Sequence, residues 1–180
     1  DVKVPKENLV GEENKGWTYA KYLLEFERGN TYSPSLYRGI EQLKSIGKET
    51  PIGGGLNLGD DADFLNKLNQ CEIEVQALEF VELRIFSALS AGQRVGPESS
   101  ILKCRGTELQ QKIQELSVEA IGYWSSPFIY DTFANINEPS IGPDYAMTIA
   151  PSYFNGRKTT IYAGSNEIQR NIISKAVLGL

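Results

Sequence analysis

Between Asp61 and Ser90 the apolar residues Leu68, Cys71, Val75, Leu78, Val81, Ile85 and Leu89 recur at steps of three or four. That period places them on one stripe of an α-helix, and the run is far too long for a strand. Such a helix folds only by covering its stripe with other elements. The chain supplies partners of the same kind. Leu36, Ile40 and Leu43 mark a helix ending near Gly47, and Leu102, Leu109, Ile113, Leu116 and Ala120 mark another that starts near Pro97 and runs out at Gly122. An earlier helix is expected from Asn14, with a break between about Arg28 and Pro34 where Gly29 and Pro34 interrupt it, and a last one from about Asn166 to Val177. Short connections between such helices predict an all-α fold, an antiparallel four-helix up-and-down bundle plus a short C-terminal helix. The stretch from Thr50 to Gly59 reads as a loop, and Tyr123 to Tyr153 as an irregular aromatic segment broken by Pro127, Pro139 and Pro143. Asp1 to Pro5 alternates polar and apolar residues like the end of a strand whose sheet lies upstream.

The chain contains no histidine. Ser-His and Cys-His nucleophile pairs, histidine bases and histidine-ligated metals are therefore excluded, and no metal site is expected. Acid–base chemistry falls to a carboxylate, Lys, Tyr or Cys. Cys71 and Cys104 lie within helical patterns and read as small buried hydrophobes in a reducing compartment. The net charge of -5 argues against nucleic acid or an anionic membrane as partner, and no segment approaches the roughly 20 apolar residues of a membrane span. The glycines of residues 50–59 do not suit a phosphate, because no Gly-Lys-Ser/Thr follows and Asp60, Asp61 and Asp63 would repel it; the aspartates suit the cap and first turn of the next helix.

Three groups of residues remain as candidates. Glu27-Arg28 is either a solvated charged pair or, since Glu27 is in register with Trp17, Ala20 and Leu24, a desolvated carboxylate facing a cavity. Tyr162-Ala163-Gly164-Ser165 leads into a helix whose first N–H groups and dipole could hold a phosphate or an enolate oxygen; the plain alternative is Ser165 as N-cap with Glu167 in the first turn. Arg157-Lys158 reads as a surface basic pair.

Four blocks, in order, resemble the C-terminal part of the flavin-dependent acyl-CoA dehydrogenases. They are Val4-Pro5-x-x-Asn8-Leu9-Val10-Gly11-x-x-Asn14-x-Gly16-Trp17, then Leu24-Glu25-Phe26-Glu27-Arg28-Gly29, then Ala120-Ile121-Gly122, then Arg157-Lys158-x-x-Ile161-Tyr162-Ala163-Gly164-Ser165-Asn166-Glu167-Ile168-Gln169-Arg170. The resemblance implies α,β-dehydrogenation of an acyl-CoA thioester to the trans-2-enoyl-CoA, with FAD as cofactor and an electron-transfer flavoprotein as acceptor. In many members the α-proton is removed by a glutamate directly after the tyrosine of a Tyr-x-Gly turn, and here that position is Ala163. Other branches carry the glutamate on the earlier helix just before an arginine, so the resemblance assigns the base to Glu27, beside Arg28, and leaves the backbone N–H of Ala163 as an oxyanion donor. By the same resemblance Gly122, Tyr162, Gly164, Ser165 and Glu167 lie at the FAD. The Arg and Thr-Phe pair that contact a neighbour's FAD in many members are missing from residues 47–59.

The resemblance divides the chain into the end of a truncated middle β-domain, residues 1–10, and a C-terminal helical bundle, residues 11–180. It implies a dimer or tetramer in a bacterial cytoplasm or a mitochondrial matrix, and these residues alone are expected not to catalyse. A non-catalytic subunit of a heteromeric dehydrogenase and a ligand-free helical interaction domain are the competing readings.

Overall fold

The computed structural model describes residues 1–27, 31–93, 96–128 and 141–180, with the side chains of 25–27 outside the description. The fold is an all-α antiparallel up-and-down bundle with a short C-terminal helix. Its helices among the described residues are α1 (Gly16–Glu27), α2 (Ser33–Glu49), α3 (Ala62–Ser90), α4 (Glu98–Ile121), α5 (Ile149–Gly156) and α6 (Asn166–Ile173).

The apolar stripes meet as their spacing requires. Leu36, Ile40, Leu43 and Ile46 of α2 pack with Phe64, Leu68, Cys71, Val75, Leu78 and Ile85 of α3 and with Leu102, Leu109, Ile113, Leu116 and Ala120 of α4 in one core. Val81 is only half-buried and Leu89 is exposed, so the last turn of α3 runs past the core. Asp61 starts α3 as expected, its Oδ1 accepting the Phe64 N–H at 2.8 Å. Gly122 ends α4 at φ +52°, a backbone conformation that side chains rarely adopt. Cys71 and Cys104 are buried free thiols, and burial pushes the pKa of each up.

Residues 1–5 are exposed, form no ladder with the described residues and lead into a single 3₁₀ turn at Lys6–Asn8. Three expectations need correction. The stretch from Thr50 to Gly59 is not all loop: β1 (Pro51–Gly53) pairs antiparallel with β2 (Leu56–Asn57) across a turn in which Gly53, Gly54 and Gly55 all take positive φ. The segment after Gly122 is not irregular throughout, because α5 begins at Ile149 with Ile149 and Ala150 buried; its residues 129–140 lie outside the description. Finally, Trp17, expected on the buried side of α1, is 72% exposed, while Ala20 and Leu24 are half-buried.

Candidate active site

The N-terminus of α2 has no capping side chain of its own. A carboxylate from α3 takes that role. Glu82 is 2% exposed, accepts the Tyr32 N–H at 2.6 Å and the Ser33 N–H at 3.1 Å, and takes the Ser33 hydroxyl at 2.5 Å. This fixes Tyr32 against α4, where Gly106 leaves room for its ring: a Cβ there would strike it. Burial, followed by the neighbouring Tyr162, Cys104 and Glu82, raises the Tyr32 pKa.

A second anchor holds the turn before α6. Arg157 is not the surface residue expected from the sequence. Its guanidinium lies 4.2 Å over the Tyr153 ring, bonds Glu115 at 2.8 Å and reaches the carbonyl of Gln111 at 3.3 Å. Gln111 returns its amide to the carbonyls of Gly156 and Arg157, both at 3.2 Å. The chain then runs through Tyr162 into Ala163 at φ +56° and Gly164 at φ +79°. For alanine this left-handed conformation is unfavourable, so the surroundings must impose it. The Gln169 side-chain amide does so, donating to the Ala163 carbonyl at 3.2 Å and the Gly164 carbonyl at 3.4 Å. Among the described residues the N–H of Ala163 has no acceptor. Ser165 holds the N-cap position but does not cap with its side chain; its hydroxyl and the backbone N–H of Glu167 hold the Glu167 carboxyl below its usual range.

These two anchored segments, α4 and the end of α1 line a half-open cavity of about 520 Å³. Leu24, Tyr32, Ser35, Lys103, Tyr162 and Ala163 line it, with Thr31, Thr107, Gln110 and Thr159. Lys103 is 4% exposed, its ammonium donates to Asn166 Oδ1 at 2.9 Å, and burial lowers its pKa against the opposing pull of Cys104 and Glu167. Position 27 closes α1 one turn beyond Leu24. The Glu27 side chain and the whole of Arg28 lie outside the described residues. Gly164, Ser165 and Glu167 continue from the cavity into α6, and Gly122 is exposed at the end of α4, outside the lining. Tyr32, Lys103, Glu82 and Gln169 were missed as parts of a site. Gln169 stands in a quoted block, and no periodicity distinguishes the others from an ordinary helix face.

Residues 14–178 match the family model described as "Acyl-CoA dehydrogenase, C-terminal domain". The chain belongs to the acyl-CoA dehydrogenase family. Among curated members, "Acyl-CoA dehydrogenase FadE26" of Mycobacterium tuberculosis is 28% identical across the whole of this chain and 44% of its own length. "Acyl-CoA dehydrogenase IpdE1" of Mycolicibacterium smegmatis is 26% identical, with 41% of it covered. Among solved structures, the ChsE4-ChsE5 complex from Mycobacterium tuberculosis superposes at TM-score 0.75 with 27% identity over 98% of this chain and 44% of that one. Butyryl-CoA dehydrogenase from Megasphaera elsdenii superposes at TM-score 0.75 with 20% identity over 99% of this chain and 43% of that one, which shows a shared fold. The chain thus spans less than half the length of the family members it matches.

The family implies FAD. The residues present fit part of that group: the open Gly122 backbone, where an added Cβ would meet nothing within 4 Å, permits close approach, and the Ala163 N–H, at the cavity, is a donor without an acceptor among the described residues.

Proposed function

We propose that this chain is the C-terminal helical part of an FAD-dependent acyl-CoA dehydrogenase in which Glu27 removes the α-proton of the acyl-CoA thioester. One observation carries the reading. Leu24, one turn before position 27, and Ala163, with its unused N–H, line the same cavity. A base delivered from α1 and an oxyanion donor delivered from the turn would then share one site.

Each residue then has a task. The Glu27 carboxylate takes the α-proton, and Arg28 supplies positive charge beside it. The Ala163 N–H, aimed by the grip of Gln169, donates to the thioester oxygen as negative charge develops there. Tyr162 walls the cavity. Gly122, Tyr162, Gly164, Ser165 and Glu167 would hold the FAD, which when bound supplies the acceptor for the β-hydride. An electron-transfer flavoprotein would receive the electrons, and the protein would act as a dimer or tetramer in a bacterial cytoplasm.

Glu27→Gln in the full-length protein tests the assignment. Removing a general base is expected to cost about 10²–10⁴-fold in dye reduction with an acyl-CoA while FAD stays bound. Unchanged turnover would remove Glu27 from the role.

A further inference from the structure

The buried ammonium of Lys103 serves no purpose in the mechanism above. It is 4% exposed, and among the described residues its only hydrogen-bond acceptor is the neutral Asn166 Oδ1 at 2.9 Å. No carboxylate lies within ion-pair distance of it among the described residues, whereas the ion pairs of α4 described join carboxylates to more exposed cations. Asn166 Oδ1 is also approached by the Thr107 hydroxyl at 3.3 Å, so the one acceptor is shared. A buried cation with one shared neutral acceptor is costly, and an ammonium carries three donors. Among the described residues the remaining donors have no acceptor, and Lys103 lines the cavity of about 520 Å³ that Ala163 also lines. The rest of that lining carries hydroxyls and amides, from Tyr32, Ser35, Thr107, Gln110 and Thr159, beside the hydrocarbon of Leu24 and the tyrosine rings.

We propose that the Lys103 ammonium is the anion-holding group of this cavity, receiving an anionic oxygen at the acyl end of a thioester ligand: a carboxylate on the acyl chain or the enolate of the thioester itself. The proposal rests on the acyl-CoA reading of the site but not on Glu27 as base. Burial, which makes the lone ammonium expensive, also makes its bond to an incoming anion strong, because water does not compete there. Ligand binding would then relieve a cost that the fold carries in its free state.

Calorimetric binding to the full-length protein, its flavin reduced beforehand so that no hydride can be accepted, tests this without turnover, and the outcome is independent of the Glu27→Gln result. Three probes serve: glutaryl-CoA carries an acyl carboxylate, 3-oxopentanoyl-CoA ionises readily to an enolate, and pentanoyl-CoA does neither. Lys103→Met is expected to weaken one or both anionic probes about tenfold or more, the loss of one charge-assisted hydrogen bond, and to leave pentanoyl-CoA unchanged. Which anionic probe suffers identifies the source of the oxygen. Lys103→Gln should show the same selectivity, so the result does not hang on the fold of one variant. Asn166→Ala, which removes the lysine's partner but keeps the charge, should retain both anionic probes. An equal effect on all three probes, including none, overturns the proposal. So does a selective loss in Asn166→Ala equal to that in Lys103→Met, which would reduce the lysine to a strut for α6.

Discussion

Gln169 shows how much one side chain can hold. It is 1% exposed, and its amide grips two successive carbonyls of a turn in which an alanine is forced into the left-handed region. Among the described residues its own Oε1 is buried without a partner, a further sign that the residue is placed for the turn. Gln169→Leu leaves the Ala163 and Gly164 carbonyls without their donor. We expect a loss of about 1–2 kcal/mol in denaturant unfolding, and a fall in kcat exceeding any rise in KM as the Ala163 N–H loses its aim. Gln169→Glu, which supplies no amide donor, should do no better. A variant with unchanged stability and kinetics would show that the turn holds itself.

Among the elements, α2 depends on α3 for its start. Glu82 satisfies two backbone donors and one hydroxyl that the sequence around Tyr32 and Ser33 leaves open. Glu82→Ala would strand all three in the interior, at a cost of about 2–4 kcal/mol. Tyr32 would then lose its fixed place at the cavity wall. The check is a denaturation curve together with near-ultraviolet circular dichroism of the tyrosines; loss of under 0.5 kcal/mol, roughly a neutral surface change, would contradict the capping role. The stripes of α2, α3 and α4 were legible in the sequence because apolar burial follows the helical period. Glu82 and Lys103 were not, because a charged residue inside a helix pattern reads as a solvated face until the neighbouring helix is known. The hairpin of β1 and β2 was hidden by brevity, and α5 by the prolines before it. At the site, the turn at Ala163 could be read from its glycine and the polar residues after it, whereas its grip by Gln169 of α6 arises only from folding, and the cavity beside it only from the packing of α4, the start of α2 and the end of α1.

For the molecule as a whole, the buried titratable groups set its response to alkali. Burial raises the pKa of Cys71 and Cys104 above the ordinary 9.0 and that of Tyr32 above the ordinary 10.0. Above those ordinary values the unfolded chain releases protons that the folded chain keeps, so stability is full below about 9 and falls as pH rises through the folded values. Lys103 works the other way: its pKa lies below the ordinary 10.5, so its contribution rises with pH between the folded value and 10.5. The raised pKa values of Tyr37, Lys44 and Lys67 act in the same sense as the thiols and Tyr32, so the melting temperature should decline above pH 9. Lys103→Met should make that decline steeper, which a pH series of thermal melts would show; a flat series would contradict the burial of these groups. The same burial makes both thiols silent towards a thiol reagent in the folded protein and reactive in denaturant.

The central claim is that α1 carries the base while the turn at Ala163 offers only a backbone donor. It is tested most directly by exchange of the substrate's α-protons with deuterated solvent, followed by nuclear magnetic resonance in the full-length, flavin-loaded protein. Glu27→Gln is expected to slow exchange by about 10²-fold or more with FAD retained. Exchange at the unaltered rate in that variant would place the base elsewhere.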